Sequence, residues 1–419
     1  MKALARSALS IGAVALLAGC AVRQAQGDSE LPSGAPSALH QTRISPASSS
    51  YKVLYNFDEY PNGEGPVGGL LDVGGTLYGA ASNGGLKHCF ERHAGGCGTF
   101  FSITPKGTEK LLYTFTVPTG AYPYSRLIDV KGTLYGTTNR GGPNGLGTVY
   151  SVSTTGAETV LYSFKGTSDG AYPVANVINV NGTLYGTNTY GGGKHRDGGT
   201  VYSVTTSGMH TVLHGFTAPT DGHDPEGGLT DVNGTLYGTT VYVSRAASCC
   251  GTVYSITTAG KEHVLYHFAG GSDGANPTGD LLNVNGTLYG TTVEGGTGCE
   301  NHGCGTVYTV TTSGTEKVLY RFSGGSDGAN PAAGLIDVNG TLYGTTQAGG
   351  LSSCSCGTVY SISTTGAVSV LHSFAGGTDG MRPHAPLVAV KGTLYGTTTG
   401  GGDGCKASAG CGTVFALTP

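Results

Sequence analysis

Short apolar segments separated by glycine-rich turns fill the chain from residue 51 onward, and four of them recur in a fixed order. The first has the sequence VLYxF, the second is an LxxV run such as LIDV at 335–338, the third is GTLYGTT, and the fourth is GTVYSIT or a close variant. Segments rich in Val, Ile, Thr and Tyr between glycine turns are typical of β-strands, and no helical period interrupts them. The pattern therefore predicts an all-β protein.

The order of segments repeats at a constant spacing. The spacing between successive copies is about 52 residues, a length that indicates a repeat architecture. The tyrosine of the third segment marks the seven copies, at Tyr78, Tyr135, Tyr185, Tyr237, Tyr289, Tyr343 and Tyr395.

Turn residues predict how the strands are joined. Asn-Gly, Lys-Gly or Gly-Gly stands between the second and third segments, where a two-residue hairpin needs φ > 0 at both turn positions. A TTG or TSG stretch joins the fourth segment to the first segment of the next copy. Two longer connections remain in each copy, namely an SDGxxP element and a variable loop after GTTxxGG.

Four antiparallel strands repeated seven times predict a seven-bladed β-propeller over residues 51–419. A β-helix coil would need about half this period, and a two-sheet sandwich would need no such regularity. Within a blade, LxxV is expected to be the innermost strand and VLYxF the outermost. The chain begins with an outermost strand at 53–57 and ends with a third strand at 413–417. We therefore expect the N-terminal strand to complete the seventh blade, so that the ring closes without an unpaired edge.

Up-and-down blades place the SDGxxP elements and the variable loops together on one face, which we call the loop face. The aspartate of SDGxxP has two interpretations: it caps its own turn, or the copies together form a ring of cation ligands. Two copies argue against a ring of cation ligands, because one has Asn62 at this position and another has no aspartate near Gly120. The aspartates concerned are Asp169, Asp221, Asp273, Asp327 and Asp379.

Residues 1–50 have a different character. Lys2 and Arg6 precede an apolar run at 8–18 that is too short to span a bilayer and suits a signal peptide. The run ends in LAGC, which resembles a bacterial lipobox; the resemblance implies a signal peptide at 1–19 and acylation of Cys20, and Ala21 would favour the outer membrane. An ordinary signal peptide is the alternative. Residues 20–50, rich in Ser, Ala, Pro and Gln, are predicted to form a flexible tether.

Composition excludes several function classes. Only 11% of residues are charged and the formal net charge is −4, so the basic surface that binds nucleic acid is missing. The sequence contains no GxSxG, HExxH or P-loop motif and no GxGxxG between a strand and a helix. We expect no cofactor, no metal ion and a monomeric chain, and we assign no catalytic residue.

Ten cysteines besides Cys20 fall in pairs inside the variable loops of five copies. Export to an oxidising compartment favours local disulfide bonds. Adjacent or nearly adjacent cysteines, however, would be strained if they were bridged to each other. Zinc is the alternative, but no second paired motif follows. The pairs are Cys89 and Cys97, Cys249 and Cys250, Cys299 and Cys304, Cys354 and Cys356, and Cys405 and Cys411.

The unit GTLYGTTxxGG...GTVYxxTxxG...VLYxF resembles the GloVer tandem repeat of exported bacterial proteins whose anchoring device varies. The resemblance covers about residues 51–419, implies a propeller-like fold and brings no catalytic residues with it. It is consistent with a cell-envelope lipoprotein that is attached to the membrane through its N-terminal lipid.

Function is best sought where one copy departs from the others on the loop face. The charged departures could be solvated loop groups, ligand contacts for a glycan or protein, or carboxylates of a carbohydrate hydrolase or lyase. A purely structural envelope protein is the third hypothesis. The candidate binding residues are His223, Asp224, Glu226, Arg245, Glu294, His302, Arg382 and His384. Loop tyrosines suited to stacking are Tyr124, Tyr172, Tyr190 and Tyr242, whereas the strand tyrosines are expected to pack between blades.

Overall fold

A computed structural model describes residues 49–58, 60–90, 95–192, 198–217, 220–243, 250–299, 302–405 and 410–419. The predicted signal peptide, lipidation site and tether at 1–48 lie outside these residues. Besides strands, the described residues contain two single turns of 3-10 helix, Gly271–Asp273 and Gly377–Asp379. In this part of the chain no helix has the length and apolarity needed to cross a membrane.

The strands form seven antiparallel sheets of four, which confirms the predicted seven-bladed propeller. Blade one consists of β2 (Leu70–Val73), β3 (Thr76–Ala81), β4 (Thr99–Ile103) and β5 (Glu109–Thr114). Blade two consists of β6 (Ile128–Val130), β7 (Thr133–Thr138), β8 (Thr148–Ser153) and β9 (Glu158–Ser163). Blade three consists of β10 (Ile178–Val180), β11 (Thr183–Asn188), β12 (Thr200–Thr205) and β13 (His210–Gly215). Blade four consists of β14 (Thr230–Val232), β15 (Thr235–Thr240), β16 (Thr252–Thr257) and β17 (Glu262–His267). Blade five consists of β18 (Leu282–Val284), β19 (Thr287–Thr292), β20 (Thr306–Thr311) and β21 (Glu316–Arg321). Blade six consists of β22 (Ile336–Val338), β23 (Thr341–Thr346), β24 (Thr358–Ser363) and β25 (Val368–Ser373).

Blade seven joins the two ends of the chain, as the offset between the first and last segments predicts. It contains β26 (Val388–Val390), β27 (Thr393–Thr398), β28 (Thr413–Thr418) and, outermost, β1 (Ser50–Asn56). β1 pairs with β28 from Ser50 opposite Thr418 to Asn56 opposite Thr413. The closing strand thus begins at Ser50, three residues before the predicted VLYNF segment, because Ser50, Tyr51 and Lys52 continue the ladder.

An aromatic contact holds each blade against the next. The phenylalanine that follows each outer strand is almost fully buried and packs edge-on against an aromatic ring of the third strand in the following blade. Phe322, for example, lies 5.1 Å from the Tyr360 ring, and Phe57 lies 5.2 Å from the Phe101 ring of blade one. The strand tyrosines are therefore packing residues, as the repeat predicts. They are Tyr150, Tyr202, Tyr254, Tyr308 and Tyr360, all completely buried.

A glycine in the second strand makes room for this ring. A Cβ at Gly290 would lie 2.4 Å from the Tyr308 hydroxyl oxygen of the neighbouring strand. The GTLYG segment therefore keeps glycine in mid-strand, where glycine is otherwise unfavourable.

The SDG aspartates form hydrogen bonds within their own turns at the outer rim of the ring. Asp169 accepts hydrogen bonds from the Tyr162 hydroxyl and from the Lys165 backbone N–H, both 2.7 Å long. Asp273 and Asp327 accept the same two kinds of bond, and histidine replaces tyrosine beside Asp221 and Asp379. This geometry favours the turn-capping interpretation. Within the described ranges, no three His, Cys, Asp or Glu side chains are grouped to hold a metal ion.

Candidate functional site

One backbone feature of the loop face recurs in every blade. Two positions before the proline of each SDGxxP element or its counterpart, one residue forms an antiparallel bridge with the second residue after the second strand. A common backbone makes these positions the places where one blade can differ from another without altering the fold. The bridged pairs are Glu64–Asn83, Ala121–Arg140, Ala171–Tyr190, His223–Tyr242, Ala275–Glu294, Ala329–Ala348 and Met381–Gly400.

The residue after each bridge adopts the left-handed conformation. Asn276 and Asn330, with φ of 58° and 55°, suit it because asparagine tolerates positive φ. Tyr122 and Tyr172 hold the same conformation at 58° and 59°. For a bulky side chain this costs about 1–2 kcal/mol relative to the right-handed region, and strain of this kind concentrates at functional sites. The tyrosines are therefore retained against the local preference of the backbone.

The preceding blade supplies the hydrogen bond that fixes this residue. The Tyr122 N–H donates to the Cys97 carbonyl at 2.9 Å, and the Asn330 N–H donates to the Cys304 carbonyl at 2.8 Å. The second cysteine of a variable loop thus holds the backbone of the next blade. In the two blades without cysteines, the carbonyls of Leu146 and Gly198 take this role.

Aromatic side chains gather on the loop face of blades one to four. Tyr172 packs edge-on against Tyr190 with ring centres 5.6 Å apart, and His223 lies 5.2 Å from Tyr242. The Arg140 guanidinium lies 3.9 Å above the Tyr172 ring centre. Ring pairs also link Phe90 to Tyr122 at 5.9 Å and Tyr122 to Tyr124 at 6.4 Å. We call this set the aromatic ledge: Phe90, Tyr122, Tyr124, Tyr172, Tyr190 and Tyr242.

A small cavity opens beside the ledge between blades two and three. It has a volume of about 270 Å³ and is lined by Leu146, Lys165, Thr167, Tyr172 and Tyr190 together with small residues. Tyr190 is 42% exposed, which is unusual for so large a side chain in this protein. A ligand of modest size would therefore meet two tyrosine side chains and a lysine in this cavity.

A larger groove of about 620 Å³ follows the closing strand, where it is lined by six consecutive residues of β1 and by Thr378, Asp379 and Asp403. Tyr51 in this groove stacks on His372 at 3.6 Å. Its side chains thus serve ring closure, so the groove is a weaker candidate than the ledge.

The central opening of the ring adjoins the ledge. The first strands of neighbouring blades contact one another around the axis, and the residues after each proline precede these strands. Asp280 reaches across a blade boundary there and accepts a hydrogen bond from the Gly228 N–H at 2.6 Å. The segments between each proline and the following first strand carry Tyr124, Arg126, Asn176, Glu226, Asp280 and His384.

Glu226 is the most perturbed acid at the opening. Burial, and to a smaller extent the Asp224 carboxylate, raises the pKa of Glu226 to about 7. His384 is exposed to solvent at the surface, yet crowding by surrounding protein lowers the pKa of its imidazole. Glu226 can therefore change charge near neutral pH, whereas the lowered pKa of His384 favours its neutral form.

The other predicted binding residues lie in different blades and differ in burial. His223 is buried at 6% exposure beneath Tyr242, so it is not the solvated loop group that the sequence allows. Its bridge to Tyr242 places it under the ledge, where it packs and hydrogen-bonds. Asp224 holds the left-handed position of blade four with φ of 56°. Glu294 lies 3.6 Å from His302 in blade five.

Arg382 holds the left-handed position of blade seven and is exposed, away from the ledge. Arg245 lies outside the described residues. The structure thus brings Glu226 and Asp224 next to the ledge and leaves Arg382 and His384 on another part of the face.

Disulfide bonds form within the variable loops, as the exported character of the sequence predicts. The loop of blade six is bridged in spite of its short spacing. Cys250 is also disulfide-bonded, and Cys249 lies outside the described residues. The bridges between described residues are Cys89–Cys97, Cys299–Cys304, Cys354–Cys356 and Cys405–Cys411.

Sequence reasoning missed several residues of this surface, namely Phe90, Tyr122, Arg126, Arg140 and Lys165. An alignment of the seven copies would have found two of them. Tyr122 occupies a position where two other copies have asparagine, and Arg140 occupies the position of Tyr190 and Tyr242.

Comparison with known proteins supports the repeat and the fold. A family model described as the Gloeobacter/Verrucomicrobia repeat matches residues 89–303 and 241–419. No match to a curated protein sequence was found.

A solved structure shows the similarity of the fold. A puromycin-hydrolyzing peptidase of Mycobacterium tuberculosis is 10% identical, with a TM-score of 0.50, over 85% of this chain and 53% of its own. The PQQ-bound aldose sugar dehydrogenase of Streptomyces coelicolor is 12% identical, with a TM-score of 0.44, over 89% of this chain and 99% of its own. At 10% identity the peptidase shares only the fold with this chain.

Proposed function

This chain belongs to the Gloeobacter/Verrucomicrobia repeat family, and we propose that its propeller is a glycan-binding module of the bacterial cell envelope. The observation that carries the proposal is the aromatic ledge, above all Tyr172, which keeps a left-handed backbone where asparagine would be more stable. A tyrosine in a backbone conformation that its side chain disfavours supports a role for its ring.

The chemistry of the ledge suits sugars. Pyranose rings present apolar C–H faces that pack on aromatic side chains, and their hydroxyl groups hydrogen-bond to charged residues at the edge. The Tyr172 and Tyr190 rings meet at a cavity of about 270 Å³, which suits a single sugar unit better than a folded protein surface. At the other end of the ledge, the disulfide-bonded loop of Cys89 and Cys97 holds Tyr122 through the Cys97 carbonyl, so that end loses little entropy on binding.

A carbohydrate hydrolase or lyase is the second candidate, and one observation favours it. Glu226, with a pKa raised to about 7, lies near the ionisable Asp224 at the edge of the ledge. A partly protonated carboxyl group beside a second carboxyl group is an arrangement that glycosidases use. Binding without cleavage of a bound oligosaccharide would exclude this candidate.

The test of the binding function is Tyr172→Asn in the full chain, purified in detergent and applied to a glycan array. We expect glycan binding to fall at least about tenfold, because each aromatic contact to a ligand contributes on the order of 1 kcal/mol and an entire face of the cavity is lost. The melting temperature should stay the same or rise, since asparagine suits the positive φ.

Asn330→Tyr is the matched control, because it places tyrosine at the equivalent position of blade six, away from the ledge. It should lower the melting temperature slightly and leave binding unchanged. An array without any bound glycan, or a Tyr172→Asn protein that binds as wild type, would refute a glycan-binding ledge.

We also propose that Cys20 anchors the propeller to the membrane through a lipid. The motif LAGC and the preceding apolar run support this assignment. Cells fed an alkyne fatty acid should label the wild-type protein and the Cys354→Ser variant, whereas Cys20→Ser should abolish the label. Labelling that persists in Cys20→Ser would show that the lipid, if any, is attached elsewhere.

A further inference from the structure

We propose that the glycan bound at the ledge is acidic, with a uronate sugar at the Tyr172–Tyr190 cavity and its carboxylate directed toward Arg140 and Lys165. This inference rests on the proposed glycan-binding function and specifies its ligand. It follows from the distribution of charge along the ledge, which is positive at blades two and three and negative at blades four and five.

Arg140 is positioned for an anionic ligand. Its guanidinium is stacked 3.9 Å above the Tyr172 ring, and its backbone is fixed by two hydrogen bonds to Ala121, of 2.8 and 2.9 Å. Among the described residues it has no carboxylate within ion-pair distance. Stacking leaves the planar N–H fork of arginine available at its edge, and this fork matches a carboxylate in a bidentate arrangement.

Lys165 adds a second positive charge at the cavity wall. None of the described residues that line the cavity is acidic. The nearby Asp169 is engaged by the Tyr162 hydroxyl and by the His210 ring, which is 3.3 Å away. Lys165 is exposed, and its ammonium group lies 5.7 Å from the Tyr162 ring centre. Because the side chain is flexible, the ammonium group can move to an acidic group in the cavity.

The opposite end of the ledge carries the opposite charge. Burial raises the pKa of Tyr242, and Glu226, Asp224 and Glu294 raise it further, whereas Arg140 opposes the burial that raises the pKa of Tyr122 and Tyr124. An acidic sugar would be repelled at Tyr242 and attracted at Tyr172. The two ends therefore impose a direction on a bound chain whose uronate lies at blades two and three and whose uncharged sugars extend toward blade four.

The experiment compares matched ligands on the full chain in detergent. Binding of galacturonate, glucuronate and mannuronate oligosaccharides is measured by titration calorimetry, together with the carboxyl-reduced form of each. We expect at least one acidic oligosaccharide to bind about tenfold or more tightly than its reduced form, because hydrogen bonds to charged groups are stronger than neutral ones. The double change Arg140→Gln with Lys165→Gln should abolish this difference and leave affinity for the reduced form within about twofold, since the ring contacts remain.

Arg382→Gln is the control for net charge, because it removes a positive charge from the same face away from the ledge; it should leave all affinities unchanged. Equal affinity for acidic and reduced forms, or an equal loss with Arg382→Gln, would overturn the acidic ligand while leaving glycan binding in place. If no oligosaccharide binds and the array is also empty, the glycan-binding function itself fails.

Discussion

Deletion of residues 49–58 is expected to lower the melting temperature by more than about 5 °C or to cause aggregation, because this segment supplies the outer strand of blade seven. It removes Phe57, which is fully buried against Phe101 of blade one. Loss of one buried phenylalanine contributes about 3–5 kcal/mol by itself. It also exposes the backbone edge of β28, which can then pair with another chain. Thermal unfolding followed by circular dichroism and light scattering would measure both effects.

Deletion of ten residues from the predicted tether, 30–39, is the matched control for chain shortening. This segment lies outside the described propeller and should have no effect on the melting temperature. Equal unfolding curves for the wild type and the 49–58 deletion would show that the ring does not depend on its N-terminal strand.

Replacing one interblade phenylalanine should have the second large effect. Phe322→Ala is expected to reduce the free energy of unfolding by about 3–5 kcal/mol, since a completely buried aromatic ring leaves a cavity that the two blades cannot close. Its ring packs at 5.1 Å against both Tyr320 and Tyr360. Denaturant titration of the purified protein would measure the loss.

Met209→Ala is the comparison for this substitution. The methionine is 70% exposed on a turn, so its replacement should change stability by less than about 0.5 kcal/mol. A Phe322→Ala protein as stable as Met209→Ala would mean that the blades are held together by other contacts.

These predictions distinguish two groups of residues in each repeat. Residues shared by the copies, such as Phe322 and Gly290, build the ring and should affect stability when changed. Residues that differ between copies, such as Tyr172 and Arg140, occupy fixed backbone positions on the loop face and should affect binding. His223 belongs to both groups, because it differs from its counterparts and is nevertheless buried under Tyr242.

The sequence by itself determined the architecture of this protein. Strand order, blade number and closure by the N-terminal segment followed from the repeat, because each copy carries its own strand pattern and turn residues. Asn-Gly turns, for instance, need only two residues, and Asn233 and Gly234 adopt the positive φ values, 54° and 84°, that the hairpin requires. Such local signals are repeated seven times and so can be recognised from one chain.

Only the tertiary structure decided which loop residues meet. Arg140 and Tyr172 are 32 positions apart in the chain and lie in different blades, yet the guanidinium stacks on the ring. Likewise, the Cys97 carbonyl fixes Tyr122 of the next blade through one backbone hydrogen bond. These contacts depend on the angle between neighbouring blades and on a left-handed backbone at a position where sequence preference favours asparagine. The sequence identified four loop tyrosines of the ledge as candidates for stacking, but the local pattern could not show which rings and charges would meet there.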